Sequence, residues 1–234
     1  MVKAFSRAFL TLGLPGLAVF LTACAYQPTD NPAVRKFSWF SYLNGDDLRS
    51  ACTADNPGQY RLVYNGIYVE QVRTYDLKVT ADGAEMRVQV TGKADLRDIS
   101  VEEAGDLMDP WRGTIETVHL RPSDLDLLKR SLRSSGAFEP VAPGLQLSSD
   151  AFYWMVSACD GGRFHFNAYL WPSDRFKAAS FAKLLNAWDP TKIAVNPPRP
   201  ATGYEIHGDK VHDGAIQFNL MTGEGGLAMV KPLF

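Results

Sequence analysis

Two short stretches of this 234-residue chain combine residue types that could do chemistry. Ser180-Phe181-Ala182-Lys183 places a hydroxyl and an amine one helical turn apart, the spacing of a serine nucleophile served by a lysine base. The companion motifs Ser-Asp-Asn and Lys-Thr-Gly are absent, and with 14 serines and 10 lysines the spacing arises readily by chance. Surface positions on an amphipathic helix account for both residues. In the second stretch, His207 and His212 stand beside Asp209 and Asp213, an imidazole and carboxylate set that could suit a divalent metal. Metal sites place such ligands on rigid elements with supporting hydrogen bonds. This stretch is rich in Gly and Asp and reads as a solvated turn, so the two histidines are weak metal candidates only. His119 and His165 fall in expected strands and read as structural, hydrogen-bonded histidines. Gly-x-Ser-x-Gly, His-Glu-x-x-His, a Walker loop and Cys-x-x-Cys are all missing. Gly223-Glu224-Gly225-Gly226 lacks a strand-turn-helix setting and reads as a hairpin turn. No catalytic residue and no cofactor are assigned.

The three cysteines are more informative. Residues 1–23 comprise a start with Lys3 and Arg7 and no acid, an apolar run from Ala8 to Phe20, and Leu21-Thr22-Ala23 before Cys24. A membrane-spanning helix needs about 20 apolar residues. This run is shorter and contains Gly13, Pro15 and Gly16, so it reads as a removed signal peptide. Leu21-Thr22-Ala23-Cys24 resembles the lipobox of bacterial lipoproteins, a leucine and two smaller residues before an obligatory cysteine. That resemblance implies a diacylglycerol on the Cys24 thiol, cleavage before Cys24, and acylation of the new amine. Burial gains about 0.8 kcal/mol per CH₂, and one chain alone binds only marginally, so three chains would hold. In the same class, Asp directly after the cysteine favours the inner membrane. Ala25 stands there, which points to the periplasmic leaflet of the outer membrane.

With residues 1–23 removed, 22 Lys+Arg remain against 26 Asp+Glu, a formal charge of −4. No basic stripe is left for nucleic acid, so the expected attachment is lipid at Cys24. Cys52 and Cys159 then form an even pair in an exported chain, which is expected to be a disulfide.

The elements divide the chain into a tether (24–35), an α+β domain (36–195), and a Pro-rich segment with a last hairpin (196–234). Asp46 to Cys52 is expected to form a helical turn that delivers Cys52 to the body. Tyr60 to Val79 is rich in the strand formers Tyr, Val and Ile. Tyr75, Leu77 and Val79 then alternate, Ala81-Asp82-Gly83 turns the chain, and Met86, Val88 and Val90 alternate back, an antiparallel hairpin with one wet face. Ile115 to Leu120 reads as a further strand. In the following helix, Ser123 is the expected N-cap with Asp126 three residues on, and Gly136 is the stop. Phe152 to Ala158 and Phe164 to Leu170 form the clearest hairpin. Phe181, Leu184, Leu185 and Trp188 make a second apolar helical stripe ending at Asp189-Pro190. Both helices follow a Pro-Ser-Asp phrase, which raises a duplicated strand-strand-helix unit over residues 76–136 and 151–189. The fold class is therefore α+β: an antiparallel sheet of hairpins packed with two amphipathic helices. A hairpin from Ala215 to Val230 is expected at an edge of that sheet.

Tyr64 and Tyr68, with Gly66 between them, form a possible binding face for a sugar chain, peptide or protein, against the plainer reading of core packing with a bulge. The expected function is a membrane-anchored envelope lipoprotein whose domain binds or assists a protein or envelope-polymer partner. The alternatives are a periplasmic hydrolase on envelope polymers or small esters, and an inhibitor or structural spacer.

Overall fold

The computed structural model describes residues 39–92, 113–200 and 218–232. After a helical stretch at 39–44, the elements are α1 (Asp46–Ala51), β1 (Gln59–Gly66), β2 (Gln71–Thr80), β3 (Gly83–Gly92), β4 (Thr114–Leu120), α2 (Pro122–Ser134), β5 (Gln146–Ser148), β6 (Phe152–Asp160), β7 (Arg163–Leu170), α3 (Asp174–Lys177), α4 (Phe181–Trp188), β8 (Phe218–Gly223) and β9 (Gly226–Pro232). Two sheets result, one of six strands in the order β4-β3-β2-β1-β6-β7 and one of three in the order β5-β8-β9. All their pairings are antiparallel. The expected α+β class is the one the chain adopts.

Strand position explains strand pattern. β1 and β6 lie in mid-sheet and are covered on both faces, so nearly every residue is buried and no simple alternation shows. β3 has one wet face and alternates, with Ala84, Met86, Val88 and Val90 inward. On one side of the large sheet, α2 contributes Leu125, Leu128 and Leu132, and α4 contributes Phe181 and Leu185. Phe181 stands edge-on to Trp154 at 5.5 Å and to Tyr169 at 5.3 Å, pairs worth about 0.5–1.5 kcal/mol each beyond burial. On the other side, Leu147, Phe218 and Leu220 of the small sheet meet Val63, Tyr153 and Met155.

The Asp46-to-Cys52 helical turn and both hairpins (β2–β3 and β6–β7) form where the sequence places them, with Tyr75 opposite Val88 and Trp154 opposite Tyr169. Three details differ. The Tyr- and Val-rich run is two strands, because Ile67 adopts φ 64° and the chain turns before Gln71. A β-branched residue is disfavoured there by roughly 1–2 kcal/mol, against which the burial of Ile67 to 6% exposure works. The N-cap of α2 is Arg121, not Ser123: Pro122 takes the first helical position, and the Asp124 carboxylate accepts from the Arg121 backbone N–H (3.3 Å) and guanidinium (2.8 Å). Gly136 does end α2, at φ 70°, with Ala137 N–H reaching back to Leu132 C=O and Gly136 N–H to Arg133 C=O. The last hairpin lies on a face of the large sheet, not along an edge, because Phe218 and Leu220 need a broad apolar surface. Residues 215–217 of its expected span lie outside the described residues.

The two Pro-Ser-Asp phrases introduce different structures. The first opens a 13-residue helix after four successive neighbouring strands, β1 to β4. The second follows a two-strand hairpin and a cis Trp171–Pro172 bond, and Ser173 caps only the four-residue α3 before α4 begins.

Candidate functional site

The cysteine pair comes together as expected: Cys52, just past α1, and Cys159, near the end of β6, are bonded with their Cα atoms 5.5 Å apart across 107 residues of sequence. Cys24, His207 and His212 lie outside the described residues. Tyr64 and Tyr68 do not form a shared strip. Tyr64 is buried on the helix side of β1, 4.9 Å from the Trp154 ring, and its hydroxyl donates to Asn196 C=O at 2.6 Å. Tyr68 lies past the Ile67 turn and packs on the small-sheet side against Trp39 and Phe218. A Cβ on Gly66 would sit 2.9 Å from the Tyr64 ring, so this glycine makes room for tyrosine packing. Ser180 Oγ is 2.6 Å from Ser131 Oγ, a bond that ties α4 to α2, while Lys183 is exposed. His165 Nδ1 meets Phe138 C=O at 3.1 Å, and His119 lies half-exposed 3.7 Å from Asp82.

Two buried arginines dominate the electrostatics. On the small-sheet side, Arg61 bonds Asp47 through both terminal nitrogens (2.7 and 2.8 Å), Asp76 at 2.6 Å and Tyr42 C=O at 3.0 Å, with its guanidinium 3.6 Å from the Tyr42 ring centroid. Burial pulls the Arg61 pKa down, but the Asp47 hydrogen bonds and the Asp76 charge outweigh it and hold it above its ordinary value. The Tyr42 hydroxyl donates to Asp76 at 2.6 Å, and burial followed by the Asp76 charge raises its pKa. On the helix side, Arg73 is fully buried and bonds Asp189, Ile193 C=O and Gln71 Oε1 (3.0 Å). A smaller group surrounds Asp160, which accepts from Tyr60 at 2.6 Å and from Arg133 at 3.1 Å and lies 3.3 Å from Lys129 Nζ. Burial works to raise the Asp160 pKa, but the Tyr60 hydrogen bond and the two cations win and lower it.

Several other buried polar side chains hold irregular backbone. Asn65 donates to the Ser149 and Ala151 carbonyls, and Asn167 to those of Gly136 and Glu139. Tyr169, whose pKa burial pushes up to about 12, donates to Ser135 C=O. The Gln71 amide grips both directions of an extended segment, donating to Ala194 C=O at 2.9 Å and accepting from Asn196 N–H at 2.8 Å. Loops crossing a sheet carry backbone groups that need partners, and these strands supply them. Among the described residues no group of three His, Cys, Asp or Glu could hold a metal ion, and no helix is long and apolar enough to cross a membrane.

Two contact surfaces stand out among the described residues. One is β4, an edge strand whose residues 114–117 are exposed, with Ile115 at 42% exposure. The other lies where the described chain begins. Trp39 stacks on Tyr42 at 5.4 Å and meets Tyr68 at 6.2 Å, while Phe40 and Tyr68 both stand edge-on to Phe218 at 5.5 and 5.1 Å. The β4 edge was not singled out in the sequence, and of the second surface only Tyr68 was, although Trp39-Phe40 after Arg35-Lys36 is a readable signal for it. No protein-family model and no curated protein matches the chain.

Proposed function

We propose that this chain is an envelope lipoprotein, acylated at Cys24 and held in the periplasmic leaflet of the outer membrane, whose α+β domain serves as a binding or accessory module. The observation that carries the reading is the Cys52–Cys159 bond. Disulfides persist in oxidising compartments such as the bacterial periplasm, which agrees with a signal peptide ending at Cys24. The binding role rests on where the polar groups go: the buried ones hold loops and ion pairs, and the β4 edge is left exposed. An edge strand can accept an added strand from a partner through main-chain hydrogen bonds.

Two measurements on intact cells test it. Feeding an alkyne fatty acid should label the wild type in the membrane fraction and leave Cys24→Ala unlabelled. Crosslinking with affinity recovery and mass spectrometry should return a reproducible protein partner that the Cys24→Ala variant loses. An unlabelled wild type overturns the anchor, and labelled protein that recovers no partner overturns the binding role.

A further inference from the structure

We propose that the domain rests on the phospholipid surface through the aromatic cluster at its chain entry, Trp39, Phe40 and Tyr68, with the small-sheet side toward lipid and the layer of α2 and α4 turned away. The surface is new, and the tether argument for it rests on the lipid-anchor reading above.

Three observations converge. First, Trp39, Phe40 and Tyr68 are each only half-buried, although they join Tyr42 and Phe218 in one continuous group of rings. Tryptophan and tyrosine favour the membrane–water boundary because an apolar ring and a polar tip fit both sides of it. The Trp39 Nε1–H is covered yet has no acceptor among the described residues. A buried donor left unpaired costs roughly 1–3 kcal/mol, which a turn of the Trp39 ring toward phospholipid ester and phosphate oxygens would relieve.

Second, the tether is short. Fourteen residues lie between Cys24 and Trp39. Fifteen residue steps reach at most roughly 50 Å when fully extended, too short to pass round a folded domain of about 40 Å diameter to its far side. An anchor at Cys24 therefore holds the entry side nearest the bilayer. Third, the charges suit a lipid surface. Arg35 and Lys36 stand just ahead of Trp39 and Phe40 in sequence, and phosphate-bearing surfaces attract such cations. Of the nearby acids, Asp47 is paired with Arg61, and Asp46, which accepts only from the neutral Ser41 and Asn44 side chains, keeps its charge.

The test does not depend on acylation in the cell. The chain from Cys24, purified with its disulfide intact, is coupled through the free Cys24 thiol to a maleimide phospholipid. The vesicles are phosphatidylethanolamine and phosphatidylglycerol and carry a diazirine in the acyl chain. After illumination, mass spectrometry should place lipid adducts on 39–42 and on Tyr68, several-fold above those on α2 and α4. Phe40→Ser should lower the adducts at 39–42 several-fold while leaving the melting temperature within a few degrees. Adducts confined to the tether, spread evenly, or concentrated on the helical layer overturn the proposal, as does crosslinking of 39–42 to a second copy of the protein. Failure of fatty-acid labelling in cells would remove the anchor reading and leave this result standing as a separate fact.

Discussion

Replacing Asp189 by Asn should cost the protein a large part of its stability. The Arg73 and Asp189 side chains are 1% and 5% exposed, so neither charge falls back on water when its partner is lost. Asp189 receives Arg73 and Tyr75 on one oxygen, and the Thr191 N–H (2.8 Å) and hydroxyl (2.6 Å) on the other. An amide of the same shape has only one acceptor oxygen, so its NH₂ must face donors on one of those sides. Breaking a buried pair from one side costs about 3–5 kcal/mol, out of a total of about 5–15 kcal/mol for a domain. At about 2–4 °C per kcal/mol for this chain length, the melting temperature should fall by roughly 6–20 °C. Arg73→Met should cost less, because Asp189 keeps its Thr191 and Tyr75 donors. Arg73→Met with Asp189→Leu should recover much of the loss, since a packed apolar pair can match a buried ionic one. Urea and thermal unfolding of the mature chain, with Cys24→Ser to avoid the lipid, would measure all four proteins. If Asp189→Asn lies within about 1 kcal/mol of the parent, water or another donor arrangement reaches the pair, and the reasoning fails.

The same background tests the cysteine bond and a histidine. Removing the bond with Cys52→Ala and Cys159→Ala reopens a loop of 107 residues, for which chain entropy sets an upper figure of about 5 kcal/mol. The urea midpoint should fall by an amount equivalent to about 2–5 kcal/mol, and an unchanged midpoint would mean that the other contacts of α1 already restrain the unfolded chain. For His165, burial holds the pKa below its ordinary value, and the Phe138 carbonyl opposes this only in part. The folded protein thus prefers the neutral ring, and the unfolded chain takes up the proton first. The stability contributed is complete above about pH 6.5 and falls as the pH drops from there through the folded pKa. His165→Gln should flatten that part of a melting-temperature curve, and identical slopes in the two proteins would refute it.

Sequence patterns showed most clearly where one face of an element is wet. The alternation of Met86, Val88 and Val90 marks β3, and the stripe of Phe181, Leu184, Leu185 and Trp188 marks α4. The break between β1 and β2 was harder to see, because both strands are mostly buried and the intervening residues are themselves strand formers. Asn65-Gly66 was the available sign of a turn nearby, although the left-handed residue is the following Ile67. β5 has only three residues and exists through its pairing with β8. No local pattern announces such a strand.

The buried polar groups were illegible for a different reason. Arg73 and Asp189 are 116 positions apart, as are Gln71 and Ala194 by 123, and a single sequence carries no trace of which distant partner a polar residue meets. Composition can still be read backwards once the fold is known. Arg73 shares the helix-side face of β2 with Tyr75, Leu77 and Val79, and an arginine there must either disrupt that core or have its charge and donors matched. The match comes from the segment after α4, where Asp189 supplies charge and the Ile193 carbonyl supplies an acceptor. That segment forms no strand or helix of its own, so Arg73, Gln71 and Tyr64 stand in for the ladder it lacks. Arg73, Gln71 and Tyr64 are therefore explained by the segment they hold, and the exposed β4 edge and the aromatic entry are where the proposed binding role is to be tested.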